Sequence, residues 1–160
     1  MASYNKILAA LDGAATQEAV IRRTFSIAHD NNAEVLLAHV IDSTLFETGG
    51  VRGEEIAKSN RDAIEKELAR YLNRAKNDPH IPNVDIKVTV GNIAESLVND
   101  IAKDYDPDLV ICGVRGLSSI KYAFVGSVST YLIRHMKCDV LVVRPEVIED
   151  VDYTEYTDYE

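Results

Sequence analysis

The sequence predicts an α/β fold, a single domain built on a five-stranded parallel sheet with helices on both faces in the Rossmann-like manner. Three observations lead there. Lys6 to Leu11 (KILAAL), Glu34 to Ile41 (EVLLAHVI) and Leu109 to Cys112 (LVIC) are largely apolar runs, as strands covered on both faces are. The longer stretches between such runs repeat their apolar residues at helical spacing. Strand and helix signals alternate along the chain, and parallel neighbours need a crossover, usually a helix.

Each element has its own signal. Lys6 to Leu11 ends at Asp12-Gly13 and reads as a central strand. Thr16 is placed to cap a helix in which Val20, Thr24/Phe25 and Ala28 share a face, and Asn31-Asn32 stops it. After the strand Glu34 to Ile41, residues 42–53 (DSTLFETGGVRG) mix glycine with polar residues and read as a connection. One helix is predicted from Glu54 to about Lys76, with Ala57, Ile64, Leu68, Leu72 and Ala75 inward, ending at Asp78-Pro79. Asp85 to Val90 (DIKVTV) alternates polar and apolar residues, as a strand near the sheet edge does. Ile93, Leu97, Val98, Ile101, Ala102 and Tyr105 outline a helix broken by Asp106-Pro107. Beyond Leu109 to Cys112, the residues Val128, Tyr131/Leu132 and His135/Met136 mark a last helix, and Val140 to Val143 a last strand.

Composition narrows the class. With 160 residues, 46% hydrophobic and 27% charged, the chain suits one soluble domain with a proper core, taken as residues 1–145. No apolar run approaches the roughly 20 residues that span a bilayer, and the start MASYNK lacks a leader pattern, so a cytoplasmic protein without a membrane partner is expected. Cys112 and Cys138 lie in or beside apolar segments without Cys-x-x-Cys spacing and are expected to be small buried residues. The four histidines are scattered, so no protein-built metal site is expected. The net charge of −9 is uneven: residues 146–160 (EVIEDVDYTEYTDYE) carry seven acids and no base, leaving 17 bases against 19 acids elsewhere. A nearly neutral body with an acidic tail gives nucleic acid no basic footprint. The tail reads as a solvated, mostly disordered end, or alternatively as a docking segment using Tyr153, Tyr156 and Tyr159.

In a doubly wound sheet, ligands bind beyond the carboxyl ends of the strands where the winding reverses, and Asp12-Gly13, Ile41-Asp42 and Cys112-Gly113 fall at such ends. The stretch GVRGLSSIKYAFVGSVS, residues 113–129, places Gly113 at a strand end, where it lets a backbone or a ligand come close, and Gly116 three residues on. Gly126 stands at a helix start beside Ser127 and Ser129, where unpaired N–H groups and the helix dipole attract an anion. Two readings stay open from these residues: a phosphate loop, or a long connection with flexible joints. It is not a Walker A loop, since no lysine follows Gly126, and it lacks the Gly-x-Gly-x-x-Gly of dinucleotide sites.

The spacing Gly113-x-x-Gly116, nine residues, then Gly126-Ser127 resembles the Gly-x-x-Gly-x9-Gly-Ser/Thr signature of ATP-binding universal stress proteins. The resemblance runs from about Tyr4 to Pro145 through YNKILAALDG, LLAHVID, DLVICGVRG and CDVLVVRP. It implies an adenine-nucleotide-alpha-hydrolase-like fold binding ATP with Mg²⁺ or Mn²⁺ held mainly by the phosphates. Adenine would lie against Ala10, Leu11, Asp12 and Val40, with Asp12 bonding the base or ribose. Cys112 and Gly113 would lie beside the ribose, Arg115 and Gly116 near the phosphates, and Gly126, Ser127, Val128 and Ser129 would cradle them. The family resemblance also implies a homodimer through the last strand. The sequence departs from the family at Ala14-Ala15, where serine is common, and at Asp139, where proline is frequent; the tail lies beyond the resemblance. No residue is poised as a general base, so no catalytic residue is assigned, and an ATP-dependent regulatory or stress-response protein is expected. A slow ATPase or phosphotransfer enzyme, and a dimeric adaptor that binds no nucleotide, are the alternatives.

Overall fold

The computed structural model describes residues 3–13, 16–45, 53–114 and 126–144. Five parallel strands form one sheet in the order β3-β2-β1-β4-β5: β1 (Lys6–Leu11), β2 (Glu34–Asp42), β3 (Val84–Gly91), β4 (Leu109–Gly113) and β5 (Asp139–Val143). The apolar run Ile7 to Leu11 is buried along its length, which is why β1 takes the centre. Its register pairs Leu11 with His39 of β2 and Ala9 with Ile111 of β4. The alternating segment 85–90 lies at one edge as β3, and β5 forms the other.

Side chains of successive strand residues point to opposite faces and divide the core in two. Ile7, Ala9, Leu11, Val35, Leu37 and Ile111 meet α1 (Gln17–Asn31), α2 (Gly53–Glu67) and α3 (Ala69–Lys76) on one face. Leu8, Ala10, Ala38, Val40, Val110 and Cys112 meet Leu97, Ile101, Ala102 and Leu132 on the other. That second layer is a helical run of α4 (Ile93–Glu95), a π-helical stretch Ser96–Ala102 and α5 (Lys103–Tyr105), together with α6 (Ser127–His135).

Three local expectations need correction. Thr16 does sit before α1, but its φ and ψ are already helical and its side chain makes no cap bond. The hydroxyl instead donates to Asp12 Oδ2 at 3.3 Å. The predicted helix 54–76 is two helices, because the backbone departs from helical geometry at Leu68 (φ −98°, ψ 9°). The bonds Leu68 N–H to Ile64 O and Leu72 N–H to Leu68 O persist at 2.9 Å, so the break is a bend that wraps the segment round the core and keeps Ile64, Leu68, Leu72 and Ala75 buried. Cys138 is half-buried rather than buried, since it precedes an edge strand.

Helix ends follow the predicted stop signals. Asn32 takes a left-handed conformation (φ 53°) and Ala33 N–H reaches back to Ala28 O at 3.0 Å, closing α1. Asp106 does the same after α5, with φ 53° and its N–H on Ala102 O at 2.8 Å. Asn92 caps α4 by accepting from Glu95 N–H at 3.1 Å.

One buried polar atom in the sheet lacks a partner. Thr89 Oγ1, in register opposite Val40, is enclosed without a hydrogen bond among the described residues. An unpaired buried hydroxyl costs stability, so Thr89→Val, which keeps the branched shape, should raise the urea unfolding free energy by about 1 kcal/mol. A loss of that size would show that the hydroxyl is satisfied in solution.

Candidate functional site

The sheet reverses its winding at β1. From β1 the chain passes through α1 on one face to β2, whereas the helical run 93–105 on the other face delivers it to β4 beside β1. A crevice at the carboxyl ends of β1 and β4 is the expected ligand position in such a sheet. Among the described residues, Ala10, Leu11, Asp12, Val40, Cys112, Gly113, Gly126, Ser127, Val128 and Ser129 belong to the strand ends and helix start at this end of the sheet. Arg115 and Gly116, with residues 117–125, lie outside the described residues.

The turn after β1 is fastened from below. Gly13 adopts φ 74°, a conformation that favours glycine, and its N–H donates to Gln17 Oε1 at 2.8 Å. Thr16 and Gln17 are both buried, and Thr16 holds Asp12 while Asp12 remains exposed at the carboxyl end of β1. His39 Nδ1 lies 2.8 Å from Leu11 O; a carbonyl only accepts, so Nδ1 carries the hydrogen in this pair. Sequence reading missed Gln17 and His39. The available signals were the polar pair Thr16-Gln17 two residues past Asp12-Gly13 and a histidine inside an apolar strand.

Gly113 has a different reason from the one its position suggests. A Cβ there would lie 2.7 Å from Thr16 Oγ1, 3.0 Å from Thr16 Cβ and 3.2 Å from Val20 Cγ2. The close approach that requires glycine is therefore that of α1 onto the end of β4. Val114 N–H then bonds Val143 O at 2.8 Å, carrying the β4–β5 pairing past the strand end.

Ala10, Val40 and Cys112 form a buried apolar floor on the face that α6 covers, and Val128 packs against it. Ser129 is buried too: its hydroxyl donates to Gly113 O at 3.3 Å and receives the Cys112 thiol at 3.5 Å. Ser129 thus ties α6 to β4, and Ser127 is the exposed hydroxyl of the pair. Gly126 (φ −65°, ψ 170°) starts α6 without a side chain to cap it, and the first helical bond runs from Thr130 N–H to Gly126 O at 3.0 Å. Among the described residues no side chain caps the N–H groups of the first turn.

Burial raises the Cys112 thiol above its ordinary range; the Ser129 bond opposes this and the Asp12 charge adds to it. At β2's end, the Thr44 N–H and then its hydroxyl lower the Asp42 carboxyl, with bonds of 2.9 and 2.8 Å. The arrangement combines an apolar floor, an exposed carboxylate and an uncapped helix start. Those are the three surfaces a base, a sugar and a phosphate group need.

Comparison with known proteins gives the lineage. The sequence profile described as "Universal stress protein family" matches residues 3–144. The chain belongs to the universal stress protein family. A Staphylococcus saprophyticus protein named as a member of that family is 31% identical over 150 residues, covering 94% of this chain and 89% of its own length. The solved universal stress protein UspA from Lactobacillus plantarum superposes with a TM-score of 0.74 at 23% identity, covering 90% of this chain and all of its own, and thereby shows the shared fold. Another family member, solved in complex with cAMP, has a TM-score of 0.63 at 24% identity and covers 91% of this chain and 100% of its own. The match ends at residue 144, so the acidic tail lies outside it.

Two measurements check this geometry. Gly113→Ala should lower stability by about 1–3 kcal/mol in urea unfolding, because Thr16 and Val20 would have to give way; an unchanged midpoint would mean the helix is not seated so closely. With its pKa raised, Cys112 stays a neutral thiol at pH 8 and should react with Ellman's reagent at least about tenfold more slowly than a free thiol. Rapid reaction of both cysteines in the native protein would contradict its enclosure.

Proposed function

We propose that this universal stress protein binds ATP in the crevice between β1, β4 and the start of α6, and works as a nucleotide-dependent regulator in the cytoplasm. The single observation that carries the reading is the uncapped first turn of α6, set beside the floor of Ala10, Val40 and Cys112 with Asp12 exposed nearby. The base would rest on that floor with Leu11 at its edge, Asp12 would meet the base or ribose, and Gly113 would shape the wall beside it. The phosphates would lie on the N–H groups of Ser127, Val128 and Ser129, with Gly126 leaving room for them and Arg115-Gly116 approaching from the signature loop.

The donor set fits a nucleotide. Among the described residues, no three His, Cys, Asp or Glu side chains gather to hold an ion. Mg²⁺ or Mn²⁺ would arrive on the phosphate oxygens, where it neutralises charge. Binding is better supported than hydrolysis: Asp12 is tied to Thr16, and His39 commits Nδ1 to a backbone carbonyl on the opposite face of the sheet. The β5 edge, beside an α6 that exposes Ile133, supports the homodimer reading, which light scattering in solution would check.

Calorimetry with ATP, AMP and cAMP, each with and without Mg²⁺, tests the proposal. ATP with Mg²⁺ should bind tightest; preference for cAMP would shift the ligand to a cyclic monophosphate. The backbone angles at Gly126 are open to any residue. Gly126 is buried, so Gly126→Val is compared with the unaltered protein by circular dichroism; the folded variant should lose at least about tenfold in ATP affinity, and an unchanged affinity would place the phosphates elsewhere.

A further inference from the structure

We infer that the acidic tail, residues 146–160, docks in cis on an arginine-lined groove between α1 and α3, on the face of the sheet opposite the floor of the nucleotide crevice. The groove is carried by described residues alone. A hollow at the end of β5 is lined by Arg22, Arg23 and Arg144, with Ala19, Ser26 and Val143. Arg22 also lines a neighbouring groove of about 690 Å³, where Arg70 and Arg74 stand on the α3 side and Phe25 and Tyr71 supply apolar surface.

This concentration of cations is out of keeping with a chain of net charge −9. Five arginines line the two hollows against two carboxylates, Asp30 and Asp78. Asp78 is already engaged by His29 Nδ1 at 2.6 Å and by His80 N–H at 2.8 Å. Arg22 pairs with Glu18 at 2.8 Å, and Glu18 also accepts from the Tyr71 hydroxyl. Arg23, Arg74 and Arg144 have no ion-pair partner among the described residues.

Position and chemistry identify the occupant. Arg144 lies in the lining of the first hollow, and the tail begins two residues later. From Arg22 to His29 the groove follows two turns of α1, about 10 Å, whereas the tail's 15 residues can extend to about 50 Å. Reach is ample. The tail carries seven acids and no base, and it closes on three related units, Tyr153-Thr154-Glu155, Tyr156-Thr157-Asp158 and Tyr159-Glu160. Each unit supplies a carboxylate for a guanidinium and a ring that stacks on one, as Arg70 already does over Tyr71 with its guanidinium 5.5 Å from the ring centre. Docking in cis would hold this groove closed to other acidic segments unless they displace the tail.

Nuclear magnetic resonance on the ¹⁵N-labelled full chain tests this. At low salt, tail amides should show dispersed shifts and positive heteronuclear NOE values. The double variant Arg70→Glu/Arg74→Glu should collapse them to random-coil positions while the amides of Ile7 to Leu11 stay unchanged. Raising salt from about 0.02 M to about 0.5 M should do the same to the unaltered protein, because the screening length falls to a few ångströms; this arm holds even if the variant misfolds. Random-coil tail signals in the unaltered protein at low salt, or signals indifferent to both changes, would overturn the proposal. Tail order that appears only as protein concentration rises would assign the groove to another copy's tail and overturn docking in cis.

Discussion

The seating of the first turn of α1 against the ends of β1 and β4 is the constraint on which the crevice depends. Thr16 and Val20 press where any side chain at Gly113 would stand, while Thr16 and Gln17 hold Asp12 and Gly13. This fastening fixes the β1 turn, the spacing of the two central strands and the orientation of Asp12 at once. His39 secures the same corner by donating to Leu11 O. The described strand ends are thus held in place by packing from the α1 face.

The central strands buried on both faces separate two tasks. The face with α4, α5 and α6 carries Ala10, Val40, Cys112 and Val128 to the carboxyl edge, where α6 begins uncapped. The face with α1, α2 and α3 supplies the larger apolar core and the fastening residues. Ser129 links them at the crevice, because its hydroxyl reaches the carbonyl of the same Gly113 whose missing Cβ admits α1. A change at the end of β4 is therefore felt in both layers.

Most of the fold is legible in the sequence because it rests on local periodicity. The continuous apolar runs at 6–11 and 109–112 mark central strands, the alternation at 85–90 marks an edge, and Asn32 and Asp106 end helices by left-handed turns. What escapes is set by tertiary contact. No proline or glycine marks the bend at Leu68, which comes from wrapping the core. Thr16 carries a good capping side chain, yet the nearby Asp12 takes its hydroxyl. For the site, the glycine spacing points to the carboxyl end of the sheet, but spacing alone does not reveal that Gly113 faces a helix or that Ser129 turns inward.

If the α6 start and the ends of β1 and β4 form one nucleotide site, the amides of both respond to the same ligand. Amide shift mapping during a titration with Mg²⁺ and ATP tests it most directly. The largest shifts are expected at Asp12-Gly13, around Val40, and at Gly126 to Ser129. Saturable shifts confined to the α1–α3 face, or none at millimolar ATP, would contradict it.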